Sequence, residues 1–293
     1  MKVSANGLAI EIEDQGPPNG EPLLLIMGLG MQLVAWPDEL VADFVGRGFR
    51  VIRLDNRDIG LSQGFDHLGL PNIVAATLRY AVRLRVTAPY GMADMAADCI
   101  GVLDALGIAQ AHVCGASMGG MIAQHLAAHH PQRVKSLTLV MTTSGARRLT
   151  QPSARVRGAL LSRPASNDFD DVVAHLAGVY RLIGSPAYPA DGERLRQRIE
   201  ASVRRAYHPA GTVRQLVAIA ADGDRSEMLR KITAPTRVIH GESDPLVPVE
   251  AAHDLTRKIG GAIADLIPGM GHDLPLALLP RIAAGVADNG GRV

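Results

Sequence analysis

The chain has 293 residues, is 47% hydrophobic and carries a formal net charge of +1. That length buries a full core in one domain with room for an insertion, and so even a charge balance offers no strong field to collect nucleic acid or an acidic membrane. The segment Met1–Leu8 holds no apolar stretch of signal-peptide length, and no run approaches the roughly 18–20 apolar residues of a membrane span, so a cytoplasmic protein is expected.

Asn6-Gly7 between two short alternating stretches predicts a hairpin at the start, and Gly16-Pro17-Pro18-Asn19-Gly20 predicts the next loop. Leu23–Ile26 reads as a buried strand that runs into the loop Met27-Gly28-Leu29-Gly30. A helix near Glu39–Arg47 and a strand at Arg50–Leu54 follow, the latter leading into Asp55-Asn56-Arg57-Asp58-Ile59-Gly60-Leu61-Ser62. From about Gly64 to Tyr90, the residues Ile73, Val74, Leu78, Val82 and Val86 recur at mixed 3–4 spacing and predict a short amphipathic helix. Such a helix extends a cap, lines an entrance or makes a dimer contact, which keeps a homo-oligomer open. Residues 93–106 place Met95, Ala96, Cys99, Ile100, Leu103 and Leu106 at helical spacing.

The next segment carries the chemistry. Ala111, Val113 and Cys114 form an apolar run into Gly115-Ala116-Ser117-Met118-Gly119, and Met121, Ile122 and Leu126 form a helical run out of it. Strand, sharp turn and helix force the middle residue into a strained backbone, and Gly115 and Gly119 remove the Cβ atoms that would collide there. The strain exposes the Ser117 hydroxyl to a base and a carbonyl carbon, while the Met118 N–H opens the helix toward a developing oxyanion. The plain alternative is a tight turn with an ordinary serine in a chain that has 31 glycines. Both cysteines, Cys99 on a helix face and Cys114 at a strand end, read as small core residues and not as a disulfide or metal pair.

Leu137–Met141 predicts another strand, ending without a carboxylate at Thr142-Thr143-Ser144-Gly145. Roughly from Ala146 to Ile232 the pattern is helical, without convincing strands, and broken by Pro152, Pro164, Pro186, Pro189 and Pro209. Its many arginines fit a solvated helix face, with Arg194, Arg198 and Arg205 at near-helical spacing; ligands for an anionic substrate are the other reading. Arg237–His240 then reads as a buried strand with Asp244-Pro245 just past its end, and Ala264–Ile267 as a last strand before the glycine-flanked loop carrying His272.

A serine hydroxyl needs a base within hydrogen-bonding reach and a third group to orient that base. Of 10 histidines, His272 alone lies on a glycine-flanked loop after the last strand; His240, inside a strand, suits packing, and His125, His129 and His130 read as exposed or capping. Glu242 and Asp273 compete with Asp244 as the acid, but Glu242 is still at the strand end and Asp273 adjoins His272 too closely. The order Ser, Asp, His, each after its own strand at one edge of a parallel sheet, together with the Asp55–Ser62 segment, resembles the α/β-hydrolase family from about residue 3 to about residue 288.

The resemblance implies an α/β fold, a mostly parallel sheet flanked by helices. Its core would be 1–145 and 233–293, with a helical insertion at about 64–90 and a helical cap at 146–232. It implies Ser117 as nucleophile, His272 as general base and then acid, and Asp244 as its orienting carboxylate. The second oxyanion donor would be the backbone N–H of Leu29, beside that of Met118, although Met27-Gly28 stands where many relatives have His-Gly. Met27-Gly28 with Arg57-Asp58, where Arg-Gly is commoner, also resembles the branch containing methyl esterases of polyketide biosynthesis. The expected activity is hydrolysis of a small-molecule carboxylic ester through an acyl-enzyme, with no cofactor and no metal. Acyl transfer, perhydrolysis and carbon–carbon hydrolysis use the same triad, and a non-catalytic ligand sensor is the reading from another class. With 3% aromatic residues, a pocket of Leu, Met, Val and Ala would suit an aliphatic or compact acyl group, with Trp36 packed in the core.

Overall fold

Asn6 and Gly7 take left-handed backbone angles, φ 50° and 75°, and turn strand β1 (Lys2–Ala5) back into β2 (Leu8–Gln15), antiparallel with Ala5 opposite Leu8. This hairpin opens the computed structural model, which describes residues 1–292. The other strands are β3 (Glu21–Ile26), β4 (Phe49–Leu54), β5 (Ala111–Ala116), β6 (Val134–Val140), β7 (Thr236–Gly241) and β8 (Ile263–Ile267). They form one eight-stranded sheet in the order β1-β2-β4-β3-β5-β6-β7-β8, parallel from β4 to β8. The order reverses around β3, so the carboxyl ends of the central strands meet at a crevice where ligands bind in open α/β sheets.

Helices cover both faces. Helices α1 (Asp38–Gly46) and α11 (Leu279–Gly290) pack on one side, α3 (Met92–Ala105), α4 (Met118–His129) and α10 (Glu250–Lys258) on the other. Strand β3 shows why: Leu24 and Ile26 enter the α3/α4 cluster while Leu23 and Leu25 enter the α1/α11 cluster, all fully buried. A strand covered on both faces must be apolar at consecutive positions, and each such leucine contributes about 1.5–3 kcal/mol on burial. Trp36, Cys99 and Cys114 lie in this core, as expected, and burial pushes the Cys114 thiol up to about 12.

Between β6 and β7 come five helices and, among the described residues, no strand: α5 (Ala154–Leu161), α6 (Phe169–Ile183), α7 (Gly192–Arg205), α8 (Pro209–Asp222) and α9 (Ser226–Leu229). Here one expectation holds only in part and another fails. Arg198 of α7 is exposed, as on a solvated face, but each of the three arginines is also tied to the core: Arg194 pairs with Glu39, the Arg198 guanidinium donates to the Ala35 carbonyl at 3.1 Å, and Arg205, the least exposed, donates to Asp55 Oδ2 at 2.7 Å. That row of the helix lies against α1 and the loop after β3. Similarly, His125 is neither exposed nor capping. It is buried in α4, with Nε2 2.8 Å from the carboxylate of Asp222, because the end of α8 returns against that helix.

The amphipathic helix expected within 64–90 is α2 (Ile73–Ala81), but its apolar stripe faces outward. Val74, Leu78 and Val82 are exposed, and the side packed on α8 presents Ala76, which meets Val217 together with Val86.

Candidate active site

Strand β5 enters the Ser117 turn and α4 leaves it. Ser117 has φ 54° and ψ −118°, a conformation L-residues rarely adopt. Both flanking glycines are required sterically: a Cβ at Gly119 would lie 2.0 Å from the Ile26 carbonyl oxygen, and one at Gly115 would lie 2.3 Å from that of Gly119. The strained turn is tied down by the Ser117 N–H to the Val140 carbonyl at 2.9 Å and by the Thr142 hydroxyl, which donates to the Ser117 carbonyl at 2.6 Å.

Ser117 Oγ stands 3.0 Å from His272 Nε2, and His272 Nδ1 is 2.7 Å from Asp244 Oδ2. The second carboxylate oxygen of Asp244 accepts the backbone N–H groups of Leu246 and Val247, each at 2.8 Å, which fixes the carboxylate plane. The two competing acids lie elsewhere. Glu242 is exposed, and Asp273 accepts the Ser185 hydroxyl, its carboxyl raised by burial against the opposing effect of that bond. His240 is fully buried, with Nε2 2.7 Å from the Val247 carbonyl and 3.8 Å from Asp244 Oδ2; burial holds its imidazole below the ordinary value, with Asp244 opposing.

The His272 loop is gripped by the end of α6. The His272 N–H donates to the Ile183 carbonyl at 2.7 Å, and the Gly271 N–H donates to the Ser185 hydroxyl at 2.8 Å. Across from the serine runs the loop after β3, so close that a Cβ on Gly28 would lie 3.2 Å from Ser117 Cβ. Leu29 follows on the wall of the same cavity as Ser117, and Met118 is the first residue of α4, where a helix has no carbonyl partner for its N–H.

Sequence reasoning missed what holds that loop. Asn56 donates to the Met27 carbonyl at 2.9 Å, and Gln215 of α8 accepts the Gly30 N–H at 2.9 Å while donating to the Arg57 carbonyl at 3.0 Å. Asn56 sat within a recognisable segment. Gln215 had no signal, being one polar residue in the middle of a helix. Ser117 and His272 open on a cavity of about 1870 Å³, lined also by Leu29, Met121, Leu216 and the tyrosines Tyr180 and Tyr207. A cavity of drug-sized ligands is roughly 300–1,000 Å³, so this one exceeds the needs of a compact acyl group. Among the described residues, no group of three or more His, Cys, Asp or Glu could hold a metal ion.

A family model, the alpha/beta hydrolase fold, matches residues 21–276. The chain belongs to that family. Rhodomycin D methylesterase DnrP of Streptomyces peucetius is 31% identical, the match covering 94% of this chain and 92% of that protein. A 2-hydroxymuconate semialdehyde hydrolase of Pseudomonas sp. is 27% identical over 98% of this chain and 92% of its own length. In fold, the chain is similar to a meta-cleavage product hydrolase of Pseudomonas fluorescens IP01, with a TM-score of 0.76, 20% identity, and coverage of 100% of this chain and 97% of that one.

Within this α/β-hydrolase, the departure at Arg57-Asp58 has a physical reason. Asp58 has φ 74°, a conformation that favours glycine and that aspartate tolerates better than most residues. Its buried carboxylate accepts Arg214 Nε at 2.6 Å, Arg214 Nη2 at 2.7 Å and the Tyr90 hydroxyl at 2.8 Å. Burial alone would raise that carboxyl; the bonds from Arg214, the Phe65 N–H and Tyr90 outweigh it and hold it below the usual range. An aspartate here ties α8, which also carries Gln215, to the loop after β4.

Proposed function

We propose that the chain is a carboxylic-ester hydrolase that works through an acyl-enzyme on Ser117, with residues 146–232 acting as a cap over the core formed by 1–145 and 233–293. The observation that carries this reading is the unbroken line from Ser117 Oγ through His272 to Asp244, at 3.0 and 2.7 Å, on the floor of a large cavity. His272 Nε2 takes the hydroxyl proton as Ser117 Oγ bonds the ester carbonyl carbon, and the N–H groups of Met118 and Leu29 hold the oxyanion. The imidazolium, steadied by Asp244, gives its proton to the departing alkoxide. Water, deprotonated by the same imidazole, then attacks the acyl-enzyme and releases the acid.

The methyl ester of a bulky acid is the substrate class that fits best. The cavity volume supports it, as does the likeness to a methylesterase that covers most of both chains. A second reading, hydrolysis of a carbon–carbon bond by the same residues, has support from the semialdehyde hydrolase relative. The experiment is to offer the purified protein p-nitrophenyl esters of rising acyl size, methyl esters of polycyclic acids and a vinylogous diketone, with an alcohol acceptor in parallel. Methanol release that Ser117→Ala abolishes while leaving the circular dichroism unchanged is the expected result. Turnover retained in Ser117→Ala, or diketone cleavage with inert esters, overturns the ester reading.

A further inference from the structure

Among the described residues, no element covers the outward stripe of α2. Val74, Leu78 and Val82 stand at i, i+4 and i+8 with 79%, 63% and 55% of their surface exposed, and Leu70 and Leu84 flank them at 65% and 55%. Water-facing aliphatic side chains in such a row are uncommon on a monomer and mark a contact surface. Within two adjoining segments the charge is of one sign. Residues 67–93 and 146–167 contain no aspartate or glutamate, yet carry Arg79, Arg83, Arg85, Arg147, Arg155, Arg157 and Arg163, all exposed. Among the described residues, Arg148 alone in these two segments pairs with a carboxylate, that of Asp254. The segments touch: the Arg147 guanidinium lies 4.9 Å from the Tyr80 ring centroid of α2. Leu70, Ile73, Leu161 and Arg163, within the same two segments, also line the cavity that holds Ser117.

We propose that this face docks on an anionic lipid surface, with Val74, Leu78 and Val82 entering the acyl region, the arginines at the level of the phosphates, and the cavity opening toward the bilayer. The net charge of +1 excludes a global field, but it averages over two wholly basic segments that the fold brings into contact. A second copy of the chain does not fit, because pairing this face with itself would set seven unpaired arginines against seven. An aliphatic stripe bordered by arginines, on a short helix with its other side packed on α8, is the composition that anionic interfaces bind. The proposal does not depend on which bond the cavity breaks.

The test is flotation of the full chain with phosphatidylcholine vesicles, with and without phosphatidylglycerol, at low and raised salt. Binding to the phosphatidylglycerol vesicles alone is expected, weakening as salt screens the arginines. Arg79→Glu/Arg83→Glu/Arg85→Glu should lower the partition coefficient by at least about tenfold. Val74→Ser/Leu78→Ser should lower it as well while leaving its salt dependence unchanged. Hydrolysis of a water-soluble p-nitrophenyl ester should be the same in all variants, which separates loss of docking from loss of fold. Equal partition onto neutral and anionic vesicles, no partition onto either, or a dimer that Val74→Ser/Leu78→Ser dissociates would each overturn the proposal. So would a wild-type preference for an acidic protein surface with no vesicle binding.

Discussion

Asp244 does two things through two oxygens: one accepts from Leu246 and Val247, the other faces His272. The backbone bonds orient the carboxylate before any substrate arrives, and in the proposed mechanism that carboxylate holds the imidazole in the one tautomer that leaves Nε2 free to accept from Ser117. Asp244→Asn keeps the shape but offers Nδ1 an amide, which stabilises the wrong tautomer, and kcat should fall on the order of 10⁴-fold. Initial rates on a p-nitrophenyl ester measure this, and a loss below about tenfold would hand the orienting role to another group. The spacing along the chain could nominate Asp244 but could not exclude Asp273, which is next to His272. Only the fold shows that the Asp273 carboxylate turns to Ser185.

Helix α8 ties into the loops after β3 and β4 through two consecutive residues, Arg214 and Gln215. Gln215 holds the Gly30 N–H and the Arg57 carbonyl, so Gln215→Leu frees the loop on which Leu29 sits. A displacement of about an ångström there should lower kcat on the order of a hundredfold, with KM little changed, because the Leu29 N–H, in the proposed mechanism, acts on the transition state. Equal changes in KM and kcat/KM, with kcat intact, would instead assign Gln215 to substrate binding. Its neighbour Arg214 neutralises Asp58, each only 1% exposed. Arg214→Met leaves a buried carboxylate without its cation and should destabilise the protein by about 3–5 kcal/mol in urea unfolding. Asp58→Asn added to it should recover part of that loss, since no unpaired charge then remains; a single variant as stable as wild type would show that the link between α8 and the core contributes nothing.

At the scale of the molecule, buried charges set the response to pH. Burial raises the carboxyls of Asp58, Asp222 and Asp254, but their partners more than offset it: Arg214 for Asp58, His125 and Arg225 for Asp222, Lys258 and Ser144 for Asp254. All three sit below the ordinary value of 3.8. The unfolded chain therefore takes up protons first, so the stability these groups contribute is complete above about pH 4 and lost as pH falls through their lower folded values. His240 and His112 are also lowered, from 6.5 and chiefly by burial, so as pH drops below that value the unfolded state again gains protons first. Urea midpoints measured from pH 8 down to pH 3 should be level above about pH 7, decline gently below about 6.5 and fall steeply below about 4. A midpoint that rises on acidification would contradict the sign of every one of these shifts.

The sequence by itself determined the strands, helices α1, α3 and α4 packed on them and the Ser117 turn, because each depends on residues adjacent in the chain. Alternation, helical spacing and two glycines around a serine are local facts, and the order Ser, Asp, His followed from where each strand ends. The tertiary structure decided what joins distant residues: Gln215 to Gly30 across 185 positions, Arg214 to Asp58 across 156, His125 to Asp222 across 97. It also decided which side of a helix is covered. Arg205 of α7 turns inward to Asp55 while Arg198 stays in solvent, and the α2 aliphatics Val74, Leu78 and Val82 face water, because spacing shows that a helix has two faces and only its neighbours determine which one is buried.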